Sequence, residues 1–196
     1  MSIYNFAPSI SRDPTIPFTT WSDAFSTEEL DRIEAYCSGL ELKDAVVIAD
    51  TQNKDVRTSQ TGWIKNTPET DWFYDRMAYV ARQLNAKFYN FDLFGFVEDM
   101  QYTVYHGTDS GHYTWHADAS FISPAPRKLS LILQLSDADT YIGGSLETQN
   151  GPTPNTVDKQ RGLIAAIPSW TLHRVTPVTS GTRKTIVVWV AGPEFK

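Results

Sequence analysis

Leu129, Leu131, Leu133 and Leu135 occupy every second position of one short run, with Ser130, Ile132 and Gln134 between them. Neighbouring side chains on a strand point to opposite faces, so this alternation describes a strand with one strongly buried face. Short segments of similar kind fill the second half of the chain, at residues 94–97, 101–105, 113–115, 145–148, 163–167, 172–175 and 185–190. They are rich in aromatic and β-branched residues, which suit a pleated, half-buried surface. Pro152, Pro154 and Asn155 mark one long irregular loop among them.

The first half reads differently. Ser26 precedes Glu29 by three residues, the spacing of a capping box, with Phe25 placed as a staple residue. Leu30, Ile33, Ala35 and Cys37 then form an imperfect apolar face, and Gly39 is a stop signal. A second helix is predicted from Thr67 as cap and Pro68 as first helical residue, with Phe73, Met77, Val80 and Leu84 recurring on one side. Trp72, Tyr79 and Ala81 broaden that stripe, so this helix is expected to pack across the outside of a sheet. Residues 45–48 read as a buried strand and 63–64 as a short return strand, while 1–20 and 50–60 read as polar connections. Helices followed by many short strands describe a mostly β protein with flanking α-helices, a helix-backed sandwich or barrel.

Composition narrows the function. The chain has 196 residues, 41% hydrophobic, enough for one domain with a sizeable core. A formal charge of -6 with no Lys/Arg tract disfavours nucleic acid as a partner. One cysteine, Cys37, excludes an internal disulfide and a Cys-rich metal cluster. With no apolar leader and no segment long enough to span a bilayer, the expected location is cytoplasmic, or host cytoplasm for a viral chain.

His116, Ala117 and Asp118 place two ligand-type side chains two apart, able to aim at one ion if the segment is extended. His173 supplies a third from another strand. Two histidines and a carboxylate are the ligand set of non-haem Fe(II) sites, although zinc hydrolases use the same set. Pro177, Ser180 and Gly181 offer a turn after His173, and a returning strand would put Arg183 beside it. Arg183, Thr185, Val187 and Trp189 share a parity, so the guanidinium would face the interior and need an anion. His106 and His112 are placed outside this group, in loop near the mouth.

Beyond these residues the chain resembles the Fe(II)/2-oxoglutarate-dependent dioxygenases, in the prolyl-4-hydroxylase-like branch that includes PiuC-type bacterial hydroxylases and phage relatives. The likeness is carried by Gln101 to Tyr105, Gly111 to His116, Arg127 to Ser136, Tyr141 to Leu146, Ile167 to Trp170, His173 to Val178, Gly181 to Arg183 and Val188 to Pro193. It covers residues 95–194 closely and the N-terminal helices loosely. The resemblance implies a double-stranded β-helix, a jelly-roll of cupin-like type, as one domain over 1–196 with helical support about 26–88 and a β core about 91–194. It implies His116, Asp118 and His173 as iron ligands, Arg183 as the partner of the distal carboxylate of 2-oxoglutarate and Thr185 as a nearby hydroxyl. Tyr105 matches the tyrosine that hydrogen-bonds that carboxylate, with Tyr102 in reserve; Leu133 is the nearest match to a second tyrosine of some relatives. Tyr113 and Trp115, with Arg57 and Trp63, are candidates for the substrate wall. Gly143 and Gly144 suit a tight turn at a strand end.

The activity implied is hydroxylation of a prolyl or other residue of a protein or peptide, using Fe(II), O₂ and 2-oxoglutarate, with ascorbate as reductant and succinate and CO₂ as products. Asp118 is informative, because related halogenases lack this carboxylate and leave room for halide. Alternatives are a hydroxylase of a free amino acid or other small metabolite, and a non-catalytic metal-binding β-sandwich module. A zinc hydrolase would need a general base that the local motif does not offer.

Overall fold

The computed structural model describes residues 16–46, 53–119 and 125–194. In chain order the elements are β1 (Thr19–Trp21), α1 (Thr27–Ser38), β2 (Lys43–Asp44), β3 (Arg57–Thr58), β4 (Gln60–Ile64) and α2 (Asp71–Leu84). They continue as β5 (Gly95–Phe96), β6 (Met100–His106), β7 (His112–His116), β8 (Arg127–Gln134), β9 (Tyr141–Gly143) and β10 (Leu146–Gln149). The last are β11 (Asn155–Thr156), β12 (Ile164–Pro168), β13 (Leu172–Val175) and β14 (Val178–Ala191).

A major sheet runs in the order β1-β12-β8-β14-β6-β4-β2, with β5 and β9 added along β14; a minor sheet runs β11-β10-β13-β7-β3. The helices cover the outer face of the major sheet, where Leu30 and Ile33 of α1 and Phe73, Met77 and Val80 of α2 share one core with Leu129, Leu131, Leu133, Ile186 and Val188. Side-chain hydroxyls tie this layer down: Tyr74 donates to the Ile64 carbonyl at 2.6 Å and Tyr89 to that of Ala166 at 2.8 Å. The inner face of the major sheet looks toward the minor sheet. This is the double-stranded β-helix with flanking helices.

The four alternating leucines are fully buried, and burying each contributes about 1.5–3 kcal/mol. Strand β8 departs from the expectation of one buried face, because Ser130, Ile132 and Gln134 are buried too. The helices cover one side and the second sheet the other, so alternation here separates two interiors rather than core from solvent.

Other local expectations meet competing chemistry. The Ser26–Glu29 capping box forms, and α1 stops at Gly39. Helix α2 starts at Asp71, three residues later than expected from Thr67 and Pro68. The Thr70 hydroxyl donates to the Lys65 carbonyl at 2.6 Å and accepts from the Thr67 amide at 3.0 Å, which holds a turn in place of a first helical turn. Of the predicted strand at 45–48, residues 47 and 48 lie outside the described residues; Ala45 is buried but Val46 is exposed, and the pairing strand is Lys43–Asp44. Thr19–Trp21 and Arg57–Thr58, read as connections, are edge strands paired to β12 and β7.

The largest correction concerns β14. Its Pro177–Gly181 start was expected to turn, and instead the strand begins at Val178 and bends. Residues 178–181 pair with β9, whereas 182–191 pair with β6, β8 and β5. Gly181 makes the bend possible: its φ is +73°, and a Cβ there would stand 2.1 Å from the Thr140 carbonyl oxygen. Arg183 therefore leaves the bend on the major sheet and faces His173 of the minor sheet across the interior, not along a hairpin. Gly181→Ala should lower unfolding stability by at least about 2 kcal/mol, whereas Gly151→Ala, at an open position, should change it little. Urea denaturation of the two variants measures the difference.

Candidate metal and anion site

His116 ends β7 and His173 lies on β13, directly opposite each other in the register of the minor sheet. Asp118 follows β7 in irregular backbone, held by the Ala119 amide donating to the Ser169 carbonyl at 2.8 Å. Strand geometry therefore explains the two histidines but not Asp118, which reaches the site from the connection beyond the strand. One ligand atom from each of the three residues lies within 4.8 Å of the others.

Both imidazoles are fixed from behind. His116 Nδ1 donates to the Thr114 carbonyl at 2.8 Å and His173 Nδ1 to the Thr171 carbonyl at 2.9 Å, since a carbonyl can only accept. That leaves each Nε2 as the metal-binding nitrogen. The Nε2 atoms stand 3.7 and 3.6 Å from the Asp118 carboxylate, too far for good hydrogen bonds. Burial, then the neighbouring His173, pushes His116 down to about 4, so it is neutral near pH 7. Burial opposes ionisation of Asp118, but His173 and His116, with Trp189 and Ser130, outweigh it and hold the carboxyl below its usual range. Asp118 Oδ2 nevertheless has no hydrogen-bond partner. A buried carboxylate with one unpartnered oxygen, faced by two imidazole nitrogens, fits a divalent cation bound on one face.

A cavity of about 570 Å³ opens in front of this triad, lined also by Tyr105, Arg183, Thr185, Val187 and Trp189. The shared parity of the β14 residues thus holds. Arg183 is only 3% exposed, its Nε lacks a partner, and among the described residues no carboxylate pairs with it. Tyr105 places its ring 5.4 Å from the guanidinium carbon. Beside it the Tyr141 hydroxyl accepts from Gln134 Nε2 at 3.1 Å, and the positive charge of Arg183 lies against that phenol. Gln134 and Tyr141 were not singled out from the sequence as site residues. Register could have found Gln134, because it pairs with Thr185. Leu133, by contrast, points into the helix-side core, and so does Tyr102. The reserve assignment of Tyr102 is therefore set aside: an odd number of positions from Tyr105, it takes the other face of β6.

The candidate wall residues divide likewise. Tyr113, Arg57 and Trp63 line the cavity, and Trp63 is 45% exposed at its mouth. Trp115 does not; it lies under Arg174, whose guanidinium carbon is 4.6 Å from its ring. The register shifts between the pairs His173–His116 and Val175–Tyr113, where β7 has one extra residue. That bulge puts Tyr113 on the same face as His116, with the two rings stacked at 3.5 Å, while Trp115, next to His116, faces away by ordinary strand alternation. His106 and His112 line a neighbouring polar pocket and are not part of the triad. No helix among the described residues is long and apolar enough to cross a membrane.

Known proteins resemble this chain in sequence and in fold. Residues 100–191 match the model of the 2OG-Fe(II) oxygenase superfamily. A PKHD-type hydroxylase of Synechococcus sp. strain CC9605 is 43% identical over 79 residues, covering 40% of this chain and 36% of that protein. A PKHD-type hydroxylase of Teredinibacter turnerae is 39% identical over 88 residues, covering 42% and 38%. The matched segment thus spans little more than a third of the length of these curated relatives. Among solved structures, a Trichoplax adhaerens prolyl hydroxylase in complex with a hypoxia inducible factor peptide fragment superposes with a TM-score of 0.74 at 16% identity, covering 90% of this chain and 84% of that one. A Pseudomonas putida prolyl-4-hydroxylase gives 0.72 at 18% identity, covering 91% and 94%. These likenesses establish the fold, and the triad stands in the segment that the sequence match covers. Over residues 100–191 the chain is similar to the 2OG-Fe(II) oxygenase superfamily, and it resembles PKHD-type and prolyl-hydroxylase-like proteins.

Proposed function

We propose that this protein is an Fe(II)- and 2-oxoglutarate-dependent dioxygenase that hydroxylates a prolyl or other residue of a protein or peptide. One observation carries the reading: a buried carboxylate with one orphaned oxygen, between two imidazole nitrogens, shares a single cavity with a buried arginine that has no carboxylate partner among the described residues. A structural metal site has no need of the second feature. A metal-dependent hydrolase would need a general base, and among the described lining residues Asp118 is the one carboxylate.

His116, Asp118 and His173 would hold the iron, and their arrangement on one side leaves the cavity side for ligands. When bound, Fe(II) with O₂ and 2-oxoglutarate supplies the oxidising chemistry, coupling release of succinate and CO₂ to hydroxylation of a C–H bond. The residues of the chain orient it. Arg183 takes the distal carboxylate of the diacid in a charge-assisted pair, and Thr185, Tyr105, Gln134 and Tyr141 surround that end. The Thr114 and Thr171 carbonyls keep both imidazoles in the ligand tautomer. Trp189 and Arg127 close one flank, with the guanidinium carbon 3.8 Å above the indole. The peptide reading draws on the relative whose structure holds a peptide fragment, together with the exposed Trp63 at the cavity mouth.

Succinate formation from 2-oxoglutarate, assayed with ascorbate to keep the iron reduced, should stop on chelation and return with added Fe(II). Asp118→Ala should abolish it; activity that survives either treatment contradicts the assignment. Arg183→Met should raise the KM for 2-oxoglutarate on the order of 100-fold, as expected when a buried charge pair loses one member. An unchanged KM would contradict the placement of the diacid.

A further inference from the structure

The cavity contains three arginines, and among the described residues one of them keeps a charge that nothing in the loaded site answers. Arg127 is held by Glu98, with Nε donating to Oε1 at 2.7 Å and Nη2 to Oε2, and its face is covered by Trp189. Arg183 is answered by the distal carboxylate in the reading above, on which this inference rests. The remaining groups of the loaded site balance one another: a divalent ion, the Asp118 carboxylate, a dianionic co-substrate and the Arg183 cation.

Arg57 is different. Its Nε donates to Ser59 Oγ at 2.8 Å and its Nη2 to Gln101 Oε1 at 3.1 Å, both neutral acceptors. Among the described residues no carboxylate lies within ion-pair distance of it. It is half-buried on β3, with its guanidinium carbon 4.6 Å from the Tyr113 ring. Tyr113 in turn stacks on the ligand His116 at 3.5 Å. The three groups form one pile running from the wall to the metal site, and the Arg57 charge reaches both Tyr113 and His116. Ser59 and Gln101 fix the guanidinium on one side and leave donors free, the preorganised fork that matches a carboxylate.

We infer that the prime substrate presents a carboxylate to Arg57, and that this contact anchors it with a C–H bond over the metal site. The acidic balance of the whole chain does not set the preference; the cavity does. A carboxylate can come from a free amino acid or from an Asp or Glu side chain in a peptide, and the same chemistry would read either.

Matched probes separate these sources. Binding is measured by calorimetry on full-length protein loaded with Zn(II) and 2-oxoglutarate, which does not turn over. One set compares free amino acids with their carboxamides; the other compares blocked peptides containing Asp or Glu with their Asn or Gln counterparts. In at least one set the acid should bind at least about ten-fold more tightly than its amide, the scale of a charge-assisted hydrogen bond. The set that shows the difference names the source. Arg57→Gln should remove the preference and Arg57→Lys should restore part of it, which loss of folding would not do. Binding of 2-oxoglutarate to the wild type is measured first. Its absence overturns the oxygenase reading itself. With that binding present, equal affinities in both sets, or a preference that survives Arg57→Gln, overturn the role of Arg57 alone.

Discussion

A carboxylate buried against two imidazoles cannot be left as it stands. Each nitrogen points its lone pair at Asp118, each is locked by a backbone carbonyl behind it, and Oδ2 has no donor. Such a cluster offers three converging ligand atoms to a cation, and the fold holds them in place. The registered pair β7 and β13 sets the two histidines, while the segment beyond β7, tied to Ser169, sets the acid. Much of the surrounding architecture follows from keeping those strands rigid and facing a second sheet.

The second sheet brings the complementary half. Strand β14 is built around a bend at Gly181, so that its first residues brace β9 and the rest crosses the middle of the major sheet. Arg183 emerges just after the bend, where the chain is most constrained. Gly144 passes beneath it, and a Cβ there would meet Arg183 Cδ at 3.0 Å. A metal half on one sheet and an anion half on the other make one cavity with opposite electrostatic demands at its two ends. A diacid with a 2-oxo group satisfies both. The wall between them carries Arg57, whose hydrogen-bond partners among the described residues, Ser59 and Gln101, are both neutral.

Much of this was legible from the sequence, and the exceptions have physical causes. Alternation located β8 and residue parity predicted which β14 side chains line the cavity. The cluster of His116, Asp118 and His173 was visible because few other roles pair a His-x-Asp run with a distant strand histidine and an inward arginine, although Asp118 itself lies beyond the strand end. Trp115 faces away because it is next to His116 on the strand, whereas Tyr113 reaches the cavity only through a one-residue bulge in β7 that nothing in the local sequence marks. Gln134 and Tyr141 escaped notice because their relation to Arg183 arises from strand pairing, not from spacing along the chain. Helix α2 began late because the Thr70 hydroxyl competes for backbone groups that a capping residue would have taken. Both faces of β8 proved buried because a pattern of alternation cannot say what lies on the far side of a sheet.

The most direct test of the account is an anaerobic titration of the metal-free protein with Fe(II) and then 2-oxoglutarate, followed by the visible charge-transfer absorption of a 2-oxo acid chelated to Fe(II). The account predicts one equivalent of this band in the wild type, none in Asp118→Ala, and a band in Arg183→Met that saturates only at much higher 2-oxoglutarate. No band in the wild type, or a band indifferent to Asp118, would contradict it.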